Sequence, residues 1–399
     1  MKPIMRRTAS LLSAVAVIAL AACSSSSSSD DGGGSSIKAG EPIVIAGEGS
    51  MTGFSGAEEG VEARLARTNK DGGVNGHPIK FLGITDNGGS ADKGLSSVRQ
   101  LVQRDKVDAI VPEFPTVLSP AAAAFLEQQK VPYVGLGYEA SMCNNPAGFA
   151  FNGCNVPDVA TNPQPALVMN LPKTVDAKDL TGKKVAVVGS NASGGASFVK
   201  QIADRAKDLN AEIVFTAADI PASTTNVQAF VDPVLSANPD IVFIVADLVA
   251  DAAVQGTLLA NGFKGQMVNA AAYLPGLIDT LPDLAKALDG SWIVSVVPTP
   301  LDNSTVSKQI VADFEAAGKK ITFGSLIAYL ATDLYIALLE KAGGDPDKVI
   351  EVGENFTWDQ GQGGFKTTWP AARDQTAQCS GMVRFLNNEY TSVAPFTCV

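Results

Sequence analysis

Apolar and polar positions along this chain follow two periods in turn. From residue 41 a short apolar run leads into a glycine-bearing loop. A stretch with apolar residues every three or four positions follows, and then another apolar run. Residues 42–46 (PIVIA) read as a buried strand, 47–53 as a loop, and 57–70 as a helix with Val61, Leu65 and Thr68 on one face. Asp71-Gly72-Gly73 stops that helix. Residues 79–84 predict a second strand, and 92–104 a helix with Leu95, Val98, Leu101 and Val102 turned inward. Residues 109–111 give a third strand and 131–134 a fourth, with Ser119 capping an intervening helix that starts at Pro120.

The pattern then repeats. Residues 185–189 (VAVVG) form a strand, 190–195 (SNASGG) a loop and 196–209 a helix; strands over 212–215, 240–246 and 266–270 alternate with helices over 226–237 and 249–260. Strands and helices alternating at this interval predict an α/β fold of two similar doubly wound parallel-sheet lobes. Pro163, Pro165 and Pro172 mark a first passage between lobes and residues 297–300 (VPTP) a return, which together make a multi-strand hinge. The helix over 324–341 is assigned to lobe 1 and the tail to lobe 2. The expected division is 41–160 plus 299–358 for lobe 1 and 161–298 plus 359–399 for lobe 2.

The first forty residues belong to neither lobe. Lys2, Arg6 and Arg7 precede an apolar run over 11–20 that is too short to span a bilayer comfortably, so residues 1–22 read as a secretion signal. Leu20-Ala21-Ala22-Cys23 resembles the lipobox of bacterial lipoproteins, which implies lipidation of Cys23 and an anchor in the membrane. Residues 24–36 are Ser, Gly and Asp alone; with 23–40 they make a flexible tether that has too little apolar area to offset its ordering entropy.

Without the leader the chain has 27 basic and 41 acidic groups, a balance that disfavours nucleic acid and an electrostatic grip on anionic lipid. Four cysteines remain besides Cys23: Cys143, Cys154, Cys379 and Cys398. In an oxidising compartment an even number predicts disulfides, with three pairings open; the sequence-local one closes two short loops. A metal site is disfavoured because no CxxC is present and His77 is the one histidine. No cofactor motif appears either: HExxH, GxSxG and Walker A are absent, and GEGSMTG is not the dinucleotide fingerprint. His77, followed by Pro78, reads as a surface bend rather than a general base.

The stretch 69–111 (NKDGGVNGHPIKFLGITDNGGSADKGLSSVRQLVQRDKVDAIV) has a glycine turn after a helix, a strand, an Asp-containing loop, and a helix before an apolar strand. Through Asn69, Gly72, Gly73, Val74, Gly76 and Asp86 it resembles the leucine/isoleucine/valine-binding branch of bacterial solute-binding proteins with the type I periplasmic fold. The resemblance implies two hinged lobes that close over a small-molecule solute outside the cytoplasmic membrane and deliver it to the permease and ATPase of an ABC importer.

In open parallel sheets ligands sit beyond the carboxyl ends of the strands. The loops there are 47–56, 112–119, 135–141, 189–195, 246–250 and 269–275. Their expected ligand-binding residues are Phe54, Phe114, Thr116, Tyr138, Glu139, Ser193, Asp247 and Tyr273. Each has a plainer reading: Asp247 as a helix cap, Glu139 and Glu113 as solvated carboxylates, the tyrosines as lobe packing and the phenylalanines as core. The loops depart from an amino-acid pattern, with Pro115 in the carboxylate loop and Ala270-Ala271-Ala272 where an acidic group is expected. The expected solute is therefore small and polar, a neutral amide or a cation rather than a branched-chain zwitterion. A lipid-anchored enzyme and a sensor for a signalling partner are the competing functions.

Overall fold

The computed structural model describes residues 37–38, 40–51, 54–114, 120–156, 159–162, 165–191, 195–270, 273–276 and 281–399. Cys23, Pro115, Thr116, Ser119, Ser193, Ala271 and Ala272 lie outside the described residues.

Two large sheets carry the chain. The first is parallel throughout, in the order β2-β1-β3-β4-β5: β1 (Ile43–Gly49), β2 (Ile79–Asp86), β3 (Ala109–Glu113), β4 (Tyr133–Gly135) and β5 (Gly148–Ala150). The second runs β14-β13-β10-β9-β8-β6-β7. Its parallel strands are β6 (Lys184–Ser190), β7 (Glu212–Ile220), β8 (Ile241–Val245), β9 (Gln266–Asn269) and β10 (Trp292–Ser295). The antiparallel β13 (Cys379–Leu386) and β14 (Glu389–Cys398) extend it. A small hairpin, β11 (Thr357–Asp359) with β12 (Lys366–Thr368), stands apart from both sheets.

In each large sheet the first five strands follow the same 2-1-3-4-5 order, so the repeat in the hydrophobic pattern is a repeat of topology. Inner strands such as β3 and β8 are apolar and buried along almost their whole length, as expected where helices cover both faces. In lobe 1 those helices are α1 (Ala57–Lys70), α2 (Ala91–Gln103) and α3 (Pro120–Gln129). In lobe 2 they are α4 (Gly195–Asp208), α5 (Gln228–Ser236), α6 (Leu248–Ala260) and α7 (Pro282–Ala287).

After β10 the chain returns to lobe 1 as α8 (Thr305–Ala317), α9 (Phe323–Lys341) and the short α10 (Val349–Gly353), then crosses again to β13. Together with the passage from β5 to β6 this makes three crossings. α9 is long and apolar because it is buried against α1, β3 and β4. The contact with α1 needs glycine: a Cβ on Gly60 would fall 1.9 Å from the Ser325 carbonyl oxygen, and one on Gly324 would fall 2.3 Å from that of Phe54. Arg64 Nε donates to Asp333 Oδ1 at 2.5 Å, and Gln360 Nε2 donates to the other Asp333 oxygen at 2.9 Å. This polar contact ties α1, α9 and the turn after β11 together.

The disulfides are Cys143–Cys154 and Cys379–Cys398, the second joining registered partners on β13 and β14. Asn387 and Asn388, both at positive φ, make the tight turn between those strands. His77 does lie in a turn, but not on the surface as expected. It is 5% exposed, and its Nδ1 sits 2.9 Å from the Glu41 carbonyl oxygen, so it fastens the chain ahead of β1.

Candidate functional site

Between the carboxyl ends of the two sheets lies a cavity of about 230 Å³ lined by Tyr138, Ala270, Tyr273, Val294, Ser295, Val296, Val297 and Phe323. Each lining group comes from a distinct element. Tyr138 follows β4, Ala270 and Tyr273 follow β9, Phe323 opens α9, and Val294–Val297 are the end of β10 and the start of the crossing that leaves it. Both lobes and the hinge therefore wall one space. A wider, more open depression of about 690 Å³ is bordered by Leu301–Ser304, Gly361–Gly364 and Pro395–Cys398, but no loop from the carboxyl ends of the lobe 1 sheet enters it.

Three aromatic rings form the cavity's rigid side. Tyr273 is 5% exposed and meets Tyr390 edge-on with ring centroids 5.4 Å apart. Burial pushes the Tyr273 hydroxyl well above its ordinary value, with Tyr390 and Asp302 adding to the effect. The Tyr138 hydroxyl is pushed up to about 12 by burial, and it hydrogen-bonds Asn155. Phe323 is held by the loop after β1. Thr322 caps α9 reciprocally with Ser325, and its hydroxyl donates to the Ser55 carbonyl at 2.7 Å. Phe54 then stacks on Phe323 at 5.9 Å and packs at a tilt against Phe114 at 4.5 Å. Ser295 supplies a hydroxyl, which donates to the Val297 carbonyl at 2.6 Å. Among the described residues no charged side chain lines the cavity.

The structure brings Tyr138 and Tyr273 of the predicted set together at the cavity and places Phe54 and Phe114 behind its wall as core. Asp247 is spent elsewhere. It caps α6, with Oδ1 accepting from Val249 N at 3.0 Å and Ala250 N at 3.2 Å and Oδ2 accepting from Ser223 N at 2.7 Å. Glu139, partly buried, follows Tyr138 and has its carboxyl raised by burial. Sequence reasoning did not place Phe323 or Val294–Val297 at the site, although it marked Val297 as part of the passage between lobes. A signal for Phe323 was present in Thr322 and Ser325, which bracket a helix start at the right distance from the crossing.

Glu113 is a correction. It is not a solvated loop carboxylate but the last residue of β3, with no exposure, and in register with Glu48 of β1, which has none either. Glu48 Oε1 accepts from Asn87 Nδ2 at 2.8 Å. Glu48 Oε2 and both Glu113 oxygens have no hydrogen-bond partner among the described residues. Burial raises Glu48 to about 7 against the pull of the Asn87 hydrogen bond, and Asp86 raises it further. Burial raises Glu113 well above the ordinary carboxylate range, with Glu48 and Glu139 contributing.

The sequence profile described as periplasmic binding protein matches residues 36–389. Comparison with curated proteins gave no match. Among solved structures the chain is similar to an ABC transporter solute-binding protein from R. palustris in complex with 4-hydroxybenzoate. That pair has TM-score 0.67 and 18% identity over 90% of this chain and 97% of the other. It is also similar to the branched-chain amino acid transporter substrate binding protein LivJ from Streptococcus pneumoniae in complex with isoleucine, with TM-score 0.65 and 17% identity over 90% and 100%. A third is a fatty acid ABC transporter substrate-binding protein from Thermomonospora curvata, with TM-score 0.66 and 14% identity over 91% and 95%. At these identities the likeness speaks for the fold.

Proposed function

Because the chain belongs to the periplasmic binding protein family, we propose that it is an extracytoplasmic solute-binding protein. It captures a small molecule between its lobes and hands it to the permease and ATPase of an ABC importer, while a lipid on Cys23 holds it to the outer face of the membrane. The observation that carries this reading is the cavity at the carboxyl ends of both sheets, walled by both lobes and by the strand that leaves for the hinge. A solute there bridges the lobes, so lobe closure and binding share one free energy.

The lining narrows the solute. Three aromatic rings, three valines and an alanine suit a body with a flat or branched apolar face; Ser295, the tyrosine hydroxyls and backbone groups suit a few hydrogen bonds. Asp247, its oxygens engaged with three backbone N–H groups, does not favour a cation. Of the two polar solutes expected from sequence the neutral one fits better: a small amide or related compound with an apolar body.

Calorimetric titration of the mature protein with benzamide, 4-hydroxybenzoate, leucine, isoleucine and valine tests the solute. Saturable binding of benzamide with Phe323→Ala weakening it by about tenfold, roughly the worth of one aromatic contact, is expected. Tight binding of a branched-chain amino acid overturns the neutral-amide reading and leaves solute capture standing. Labelling with a fatty acid precursor in cells tests the anchor: wild-type protein takes up label and Cys23→Ala does not, and an unlabelled wild type refutes it.

A further inference from the structure

A separate feature of lobe 1 carries an inference that does not depend on which solute is bound. β1 and β3 are adjacent parallel strands, and Glu48 and Glu113 are registered partners near their ligand-facing ends. Both are wholly buried, three of their four oxygens lack a hydrogen-bond partner among the described residues, and no Lys, Arg or His faces either of them there. A second carboxylate in such a place makes ionisation of the first harder, and two unpaired buried charges on neighbouring strands are too costly to keep.

We propose that Glu48 and Glu113 form a proton-operated latch: as neutral acids they let the ends of β1 and β3 lie side by side in the core, and once ionised they drive those ends apart. The mechanical path is short. Phe114 N donates to Glu48 O at 3.0 Å, and a Cβ on Gly49 would fall 2.7 Å from Phe114 Cβ. Phe114 packs at a tilt against Phe54, and Phe54 stacks on the cavity wall residue Phe323. Separation of the strand ends therefore withdraws support from one wall of the cleft.

The surrounding charges push the same way. Asp86 of β2 bears on Glu48, and Glu139 after β4 bears on Glu113. Asp86 is itself approached by Lys93 of α2, which bears on Asp86 and not on the pair. Tyr133 of β4 faces Glu113, while Glu127 of α3 and Arg373 reach as far as Tyr133. Residues 115–119 (PTVLS) contain no titratable side chain.

The sign follows from linkage. A carboxyl held neutral in the folded state binds its proton where the opened state, with its ordinary value, has lost it. Opening therefore becomes about tenfold more favourable per pH unit for each group, from the ordinary carboxylate range up to that group's folded midpoint. For Glu48 that window runs from 4.5 to about 7. Carbon-detected NMR of the mature full chain, labelled at glutamate Cδ, reads the titrations. Hydrogen exchange at the Phe114 and Asn87 amides, corrected for base catalysis, reads the opening.

Two carboxyl resonances that titrate above the other glutamates, with protection of both amides falling on the order of 10- to 100-fold per pH unit through the lower window, support the latch. In Glu48→Gln the Glu113 midpoint moves down, because the Glu48 charge is one of the causes that hold it up, and a purely structural role would not produce that shift. Should that variant fail to fold, Asp86→Asn lowers the Glu48 midpoint, since Asp86 is the charge that adds to burial there. Titration of Glu48 and Glu113 with the remaining glutamates, or protection that does not change with pH, overturns the proposal.

Discussion

The two lobes share a strand order but bury different polar side chains at the ends of their strands. In lobe 2, Asn269 at the end of β9 donates from Nδ2 to Gln255 Oε1 at 3.0 Å and to Ser291 Oγ at 3.1 Å. Ser291 Oγ lies 2.7 Å from Gln255 Oε1, and Gln255 Nε2 donates to the Asp289 carbonyl at 3.1 Å. All three side chains are fully buried and bonded to one another without a titratable group, Asn269 Oδ1 alone among them having no partner among the described residues. In lobe 1 the buried polar residues at the strand ends are Glu48 and Glu113, whose oxygens go largely unpaired. A neutral network is indifferent to pH, whereas a carboxyl pair makes its lobe respond to it. One topology thus supports a neutral network at the end of β9 and a titratable pair at the ends of β1 and β3, while lobe 2 keeps one buried carboxyl of its own, Asp251 of α6, raised by burial and accepting from Ala246 N.

The sharpest way to break that contrast is to damage lobe 2. Gln255→Ala removes the centre of the network, leaves Asn269 and Ser291 short of partners, and opens space between α6 and β9. We expect a loss of about 2–4 kcal/mol, combining an unsatisfied polar group with a cavity. Urea unfolding from pH 5 to 9 should give a loss that is the same at every pH. A loss that grows toward either end would mean that a titrating group shares the network, and the contrast would fail.

Next in size is Glu48→Gln in lobe 1. Folding raises the Glu48 carboxyl from 4.5 to about 7, so below its ordinary value the residue is neutral in both states and the substitution should matter little. As pH rises through the window the wild type loses stability, because folded Glu48 keeps a proton that unfolded Glu48 gives up; above about 7 the loss is complete and constant. The glutamine variant escapes that loss and should be more stable by on the order of 1–3 kcal/mol at neutral pH and above. Equal pH slopes for the two proteins would place Glu48 outside the titration.

The sequence made much of this architecture readable and hid the pair. Strands with apolar runs and helices with a 3.6-residue stripe were placed to within a few residues, because burial on two faces and on one leave different periods. The helix over 57–70 coincides with α1, and the strand over 185–189 lies within β6. Glu113 was misread because VPEFP has proline on both sides, and prolines usually punctuate loops. In the structure the β3–β4 register is interrupted between Ile110 and Glu113, so Pro112 sits where the ladder is broken and the strand runs on to Glu113. The hinge wall was hidden for another reason. Val297 was marked only as the start of a passage between lobes, and it is the packing of β10 between β9 and β13 that brings the strand's end to the cleft. Tyr138 and Tyr273 were picked out by loop position and by the preference of small-molecule pockets for aromatic walls, and both line the cavity, whereas the same loop position also selected Phe54, Phe114 and Asp247, which do not.

The smallest effect concerns Asp247, which sequence reasoning placed at the solute. It lies in lobe 2, and its carboxylate closes the first turn of α6 while gripping Ser223. Asp247→Ala should cost about 1 kcal/mol, the usual worth of an N-cap side chain. Asp247→Asn should recover most of it, because an amide oxygen still accepts from Val249 and Ala250. Neither variant should move the dissociation constant for the cleft ligand by more than about twofold, since the side chain is not among those lining the cavity. Thermal unfolding and calorimetry on the same preparations separate the two readings. A fall in affinity much larger than the fall in stability would return Asp247 to the binding site, and would show that lobe 2 contributes a charge to recognition as well as a rigid wall.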